Sequence, residues 1–170
     1  MLITPADHKD LKDLSVLINN SYRGETSKKG WTTEADLLDG LRTDEAALGE
    51  MINEGNSAIL KCLDENGLLL GCVYLQEQDH KLYLGMLTVS PLHQNKGIGK
   101  KLLNAAEEYA INKNCSSIIM TVISIRRELI EWYERHGYEK TGETKPFHYK
   151  GIRFGIPKMP LEFLFLEKNL

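Results

Sequence analysis

The segment LTVSPLHQNKGIGKKLL, residues 87–103, constrains this chain more than any other. An apolar run ends at Val89, Pro91 and Asn95 mark a turn, and Gly97 and Gly99 open a helical pattern. The first N–H groups of a helix have no internal partner, and the helix dipole adds partial positive charge there. Glycines allow an anion to approach such a backbone without a Cβ in the way. Lys96, Lys100 and Lys101 add positive charge. A P-loop requires four residues between its glycines, then Lys and Ser or Thr. Here one residue separates Gly97 from Gly99. A dinucleotide fingerprint requires a further glycine where Leu102 stands. On spacing alone, a glycine-rich turn bordered by solvated lysines explains the segment equally well.

The rest of the chain supplies a frame for this turn. Residues 2–4 read as a short strand, and Leu11, Leu14, Leu17, Ile18 and Tyr22 predict a helix over roughly 7–21. A polar loop, RGETSKKGW, follows. Thr33 with Asp36 resembles a capping box, which predicts a helix over Ala35, Leu37, Leu38 and Leu41. Asp44 and Glu45 open a further helix that Gly55 ends. SAILKCL and LLLGCVYL are strand-like runs split by Asp64–Gly67, a hairpin signal. KLYLGMLTV is apolar on both faces and belongs in the middle of a sheet. A helix starts near Gly97, with Ile98, Leu102, Leu103, Ala106, Tyr109 and Ala110 as its inward stripe. SSIIMTVI reads as a buried parallel strand, Arg126–His136 as a helix, and Tyr138–Thr144 and Leu161–Lys168 as closing strands. This order predicts an α/β (α+β) mixed sheet within one domain, residues 1–170, rather than a repeated βαβ array.

Composition narrows the class. With 21 Lys plus Arg against 24 Asp plus Glu, the 170-residue chain carries a formal charge of −3. A nucleic-acid partner would leave a basic stripe, so none is expected. Cys62, Cys72 and Cys115 are odd in number and lack CxxC spacing, which points to a reducing, cytoplasmic compartment. The N-terminus lacks the apolar core of a signal peptide, and no run approaches the roughly 20 apolar residues that span a bilayer. No membrane association is expected. The five histidines show no ligand spacing, so no metal site is expected.

Two motifs together carry a family resemblance. QNKGIG resembles the Arg/Gln-x-x-Gly-x-Gly/Ala pyrophosphate loop of the GNAT superfamily of N-acetyltransferases, and Val89-Ser90-Pro91 matches the V-x-P element before it. ELIEWYERHGYEKTG, with Tyr133, Gly137 and Tyr138, resembles the family's helix ending in Tyr before Gly-Phe/Tyr. The resemblance covers about 57–168, while the first 55 residues match in layout only. It implies a single mixed, mostly antiparallel sheet with a central splayed parallel strand pair and helices on both faces. It implies acetyl-CoA as co-substrate, without a metal. Leu87, Thr88 and Val89 would meet the pantetheine arm and polarise the thioester carbonyl. Gln94, Asn95, Lys96, Gly97, Ile98, Gly99 and Lys100 would hold the pyrophosphate. Tyr133 would be the general acid; read without the resemblance, it is a core aromatic beside Trp132.

The resemblance has two gaps. Where many relatives carry Asn before the helix, this chain has Arg126, which reads as a phosphate or acidic-substrate partner or simply as a solvated helix start. Where many carry a Glu on the strand, it has Gly85 and Met86, so the general base falls to water or to Glu25, Asp36 or Tyr83. The family's acceptor loop makes Arg23, Glu25, Trp31 and Glu34 acceptor-side candidates, Glu25 and Trp31 foremost; an exposed loop with one half-buried Trp fits equally. Residues 146–157, long and aromatic, read as a lid. The expected activity is direct acetyl transfer to the amine of a small molecule or a protein, with a homodimer left open. The competing class is a coenzyme A-binding sensor or scaffold without catalysis.

Overall fold

The structure is a computed structural model and describes residues 1–147 and 154–170. Strand β1 (Leu2–Pro5) leads into a short 3-10 turn at His8–Asp10. The Asp7 carboxylate accepts from the Lys9 N–H and the Asp10 carboxylate accepts from the Asp7 N–H, a capping box that starts the turn. Helix α1 (Leu11–Tyr22) follows, with Leu14 and Ile18 fully buried. The expected helix over 7–21 is therefore a capped 3-10 turn and an α-helix in series.

The polar loop contains a one-turn helix, α2 (Gly24–Ser27). The helix expected from Thr33 does not form. The Thr33 hydroxyl accepts from the Ala35 N–H, but it also bonds Ser27 and Tyr22, and Leu37 and Leu38 N–H both return to the Glu34 carbonyl. A turn results, and the chain leaves it as β2 (Leu38–Asp39). Next come α3 (Glu45–Asn53), capped by the Asp44 carboxylate on Ala47 N–H at 2.8 Å, and the hairpin β3 (Ser57–Leu63) and β4 (Leu69–Gln78). The remaining elements are β5 (Lys81–Val89), α4 (Ile98–Asn112), β6 (Ser117–Ile123), α5 (Arg127–Glu134), β7 (Glu139–Pro146), β8 (Ile156–Pro157) and β9 (Glu162–Asn169). Of the expected lid, β8 pairs with β2, and residues 148–153 lie outside the described residues.

Seven strands form one sheet in the order β1-β3-β4-β5-β6-β9-β7. Every neighbouring pair is antiparallel except β5 and β6. Each face carries an apolar cluster. On one, Leu75, Leu82, Leu84 and Ile118 pack against Ile98, Leu102, Leu103 and Ala106 of α4 and Ile130 and Tyr133 of α5. On the other, Ile59, Cys72, Tyr74 and Met86 pack against Leu14 and Ile18 of α1 and Leu48 of α3.

Two local features of β5 position everything that follows. Gly85 pairs with Tyr74 and Thr88 with Cys72, so Met86 and Leu87 together oppose one residue of β4. This is a β-bulge, and Met86 takes the left-handed conformation it needs, at φ 46°. An inserted residue exchanges the two faces of a strand. Leu82 and Leu84 therefore face α4 before the bulge and Leu87 and Val89 do so after it, while Met86 faces α1. The second feature is the short parallel pairing. Only Lys81–Tyr83 pair with Ser117–Ile119, although β5 continues to Val89 and β6 to Ile123. β6 stays bonded to β9 along its whole length. The two central strands therefore diverge toward their C-terminal ends.

Candidate active site

The divergence opens a cleft of about 520 Å³ between the end of β5, the start of α4 and one face of α5. Leu87, Thr88 and Val89 line it along the strand edge that β6 leaves unpaired. The Leu87 carbonyl on this stretch accepts from the Tyr22 hydroxyl at 3.1 Å. Tyr22 lies at the last position of α1, just before the polar loop, and also lines the cleft. Its burial pushes its phenol up to about 12. Sequence reasoning placed Tyr22 only in the inward stripe of α1; its place at the loop junction was the available signal.

The turn before α4 is built as an open cradle. Asn95 and Gly97 are both left-handed, at φ 62° and 75°. Gly97 caps α4 without any side-chain hydrogen bond, and no acidic residue occupies the first helical turn. The N–H groups there are thus left to an external anion. A Cβ on Gly97 would meet nothing within 4 Å, so the space beside it is free. Gln94, Asn95, Gly97, Ile98, Gly99 and Lys100 line the cleft; Lys96 is exposed and does not. Gly99 has a second reason to be glycine. A Cβ there would lie 3.2 Å from the Trp132 ring, so α4 packs closely on α5 at this point and any side chain would force the ring to shift. Gln94 reaches back as well. Its Oε1 accepts from the Trp31 N–H at 2.9 Å, tying the acceptor-side loop to the glycine turn. These features suit a diphosphate with a flexible arm: an open N-terminal cradle, one lining lysine, and an unpaired strand edge.

Tyr133 projects from α5 into this space and is 5% exposed. Its ring stacks edge-on with Trp132 at 5.1 Å and Tyr138 at 5.7 Å. Burial raises its pKa well above the ordinary phenol value, and the nearby Arg126 opposes this only in part. The phenol is therefore protonated at neutral pH.

The acceptor-side candidates separate. Trp31 lines the cleft and is 41% exposed. Glu25 does not line it: it sits on α2 with its carboxylate in solvent, 2.8 Å from Lys28. Asp36 is exposed and Tyr83 points at Thr121 at 3.5 Å; neither lines the cleft. Arg23 and Glu34 are buried, and Arg126 is a buried residue rather than a solvated helix start. Glu34 accepts from Arg126 at 3.0 Å and from Arg23 at 3.4 Å. Arg23 also donates to the Leu41 and Phe154 carbonyls. A sequence pattern cannot show this link, because Glu34 and Arg126 lie 92 residues apart.

The three thiols are buried, which raises the pKa of each, that of Cys72 to about 12. No thiolate nucleophile is available among them. No three His, Cys, Asp or Glu among the described residues are grouped to hold a metal, and no described helix is long and apolar enough to cross a membrane.

A bulged strand splayed from its parallel neighbour, a glycine-opened helix between them and a tyrosine over the gap form one cleft within a mixed α/β sheet fold. The chain belongs to the Acetyltransferase (GNAT) family, which matches residues 16–138. It is 24% identical over 120 residues to N-acetyltransferase family 8 member 7 of Mus musculus, covering 67% of this chain and 53% of that protein. The chain thus spans about half the length of that curated relative. Among solved structures it resembles the ribosomal-protein-alanine N-acetyltransferase of Brucella melitensis, with TM-score 0.73, 22% identity and full coverage of both chains (100% each). It also resembles a Bacillus anthracis protein solved in complex with acetyl coenzyme A, with TM-score 0.59 and 21% identity over 71% of this chain and 66% of that one.

Proposed function

We propose that this chain transfers an acetyl group from acetyl-CoA to an amine by direct attack, with both substrates bound together. The observation that carries the reading is the unpaired, bulged edge Leu87–Val89 facing Tyr133 across the cleft. The acetyl-CoA-bound Bacillus anthracis structure with the same fold supports the choice of donor. The backbone from Asn95 to Lys100, with the Lys100 ammonium, holds the diphosphate at the start of α4. The edge of β5 receives the pantetheine arm and directs an N–H at the thioester carbonyl, where it stabilises developing negative charge. The amine nitrogen bonds to the carbonyl carbon, the carbon–sulfur bond breaks, and Tyr133 gives its proton to the departing sulfur. The amine proton leaves to water: no carboxylate is among the described residues lining the cleft, and the lining imidazole, His136, is bonded to the Trp132 carbonyl at the diphosphate end. The buried thiols favour direct transfer over a covalent acyl-enzyme.

The test combines binding with turnover. Acetyl-CoA at about 100 times its Kd stabilises a folded protein by about 2.7 kcal/mol. For a chain of this size that raises Tm by roughly 5–10 °C. Lys100→Glu is expected to remove most of this rise, because it puts a negative charge beside the diphosphate. Lys100 is exposed, so the fold should tolerate the change. Thiol release from acetyl-CoA with a panel of amines then reads turnover. An unchanged Tm rise in Lys100→Glu would remove the diphosphate from the glycine turn.

A further inference from the structure

The two ends of the cleft differ in charge and in what explains it. Lys100 and Arg135 lie with Trp132, which packs on Gly99, at the diphosphate end. Arg126 stands at the opposite end of α5, about 13 Å away at 1.5 Å per residue. It shares that end with Tyr22 and Thr32, and its charge acts on the phenols of both Tyr22 and Tyr133. The diphosphate therefore does not account for it.

Arg126 is 7% exposed and lines the cleft. Its Nη1 donates to Glu34 at 3.0 Å and its Nη2 to Thr32 at 2.7 Å, while its buried Nε has no hydrogen-bond partner among the described residues. A guanidinium carries five N–H donors, so this one keeps spare donors. Glu34 is shared with the buried Arg23, so one buried carboxylate faces two buried guanidiniums. Among the described residues, Glu128 is the second acid paired with Arg126. Its carboxylate is 3.9 Å from Nε, takes the Thr32 hydroxyl at 2.9 Å and is about half exposed, so water screens it. No Asp or Glu is among the described residues lining the cleft. A second ammonium on an acceptor would find no partner there, whereas a carboxylate would find one.

We propose that the acceptor is a small amine that also carries a carboxylate, and that Arg126 pairs with that carboxylate to set specificity. This rests on the acetyl-transfer reading above. Arg126 stands where the family resemblance implies Asn, and its pairing converts that departure into selectivity for acidic acceptors over di- and polyamines.

The experiment measures acetyl transfer to matched pairs: 4-aminobutyrate against 4-aminobutanamide, and L-alanine against L-alaninamide, with 1,4-diaminobutane as the dicationic control. Rates are compared per neutral amine, because amidation lowers amine pKa. The acids should exceed the amides by at least about tenfold in kcat/KM, a charged hydrogen bond being worth that much. Arg126→Gln should abolish the preference by slowing the acids about tenfold while the amides stay within about threefold. Should that variant fail to fold, Glu128→Gln at the exposed rim serves instead. It removes a competing anion and should raise kcat/KM for the acids about two- to threefold, leaving the amides unchanged. Transfer to amides or to the diamine at the rate of the acids overturns the proposal but leaves acetyl transfer standing. So does a preference that survives Arg126→Gln. Absence of transfer to every amine would overturn both.

Discussion

Replacing Tyr133 by Phe is expected to lower turnover at least about tenfold while leaving acetyl-CoA affinity nearly unchanged. The substitution removes one oxygen and keeps a ring that packs on Trp132 and Tyr138. Its hydroxyl makes no hydrogen bond with a described residue, so little packing energy depends on it. Positioned proton transfer is typically worth about 10²- to 10⁴-fold, and water replacing the phenol sets the lower expectation. The diphosphate cradle lies on α4, not on α5. Calorimetric affinity for acetyl-CoA should therefore change less than about threefold. The wild-type pH profile offers a second check: burial holds this phenol above its ordinary pKa, so its ionisation should cause no alkaline loss of turnover below about pH 10. Full turnover in the Phe variant, with chemistry rate-limiting, would reduce Tyr133 to a core aromatic.

Glu34→Ala is expected to destabilise the protein by about 3–5 kcal/mol. Glu34, Arg23 and Arg126 are each less than a tenth exposed, and the carboxylate is the acid both guanidiniums share. Its removal leaves the buried Arg23 without a carboxylate partner among the described residues and Arg126 with only the half-exposed Glu128 at 3.9 Å, which costs more than the net worth of the ion pair itself. Total stability of a domain is about 5–15 kcal/mol, so the loss is a large fraction of it. Tm should fall by roughly 10 °C or more at this chain length. Glu34→Gln retains a hydrogen-bond acceptor but not the charge, and should fall between. A loss below about 1 kcal/mol in Glu34→Ala would mean that the arginines find water or Glu128 in its place.

The strands and the crossover helix were legible because their signals are local. The strand-like apolar runs over 57–89, the stripe from Ile98 to Ala110 and the doubly apolar 117–123 each describe burial that any packing partner would satisfy. The glycine turn was legible for a similar reason, since a left-handed backbone at Gly97 and an uncapped helix start are properties of a short segment. Local signals failed at Thr33. Its side chain meets the demand of a cap, but Glu34 beside it is held by Arg23 and Arg126, and the chain is drawn into a turn and then into β2. Tertiary contacts worth several kcal/mol override a preference worth about 1 kcal/mol.

Glu25 and Glu34 show the same division. Both are acidic candidates on the acceptor side, and the resemblance puts Glu25 ahead of Glu34. Packing turns Glu25 to solvent beside Lys28 and buries Glu34 between two arginines. Gly99 shows it in reverse: the motif suggests ligand approach, and the fold adds the Trp132 ring as an independent reason. The sequence by itself determined the strand–glycine turn–helix unit, the Tyr133 helix and the family they signal, because each is written in neighbouring residues. Only the tertiary structure decided the splay of β5 from β6, the Tyr22 bond to Leu87 and the charge at Arg126. Each of these is a contact between segments distant in the chain, and its energy exists only once both are packed.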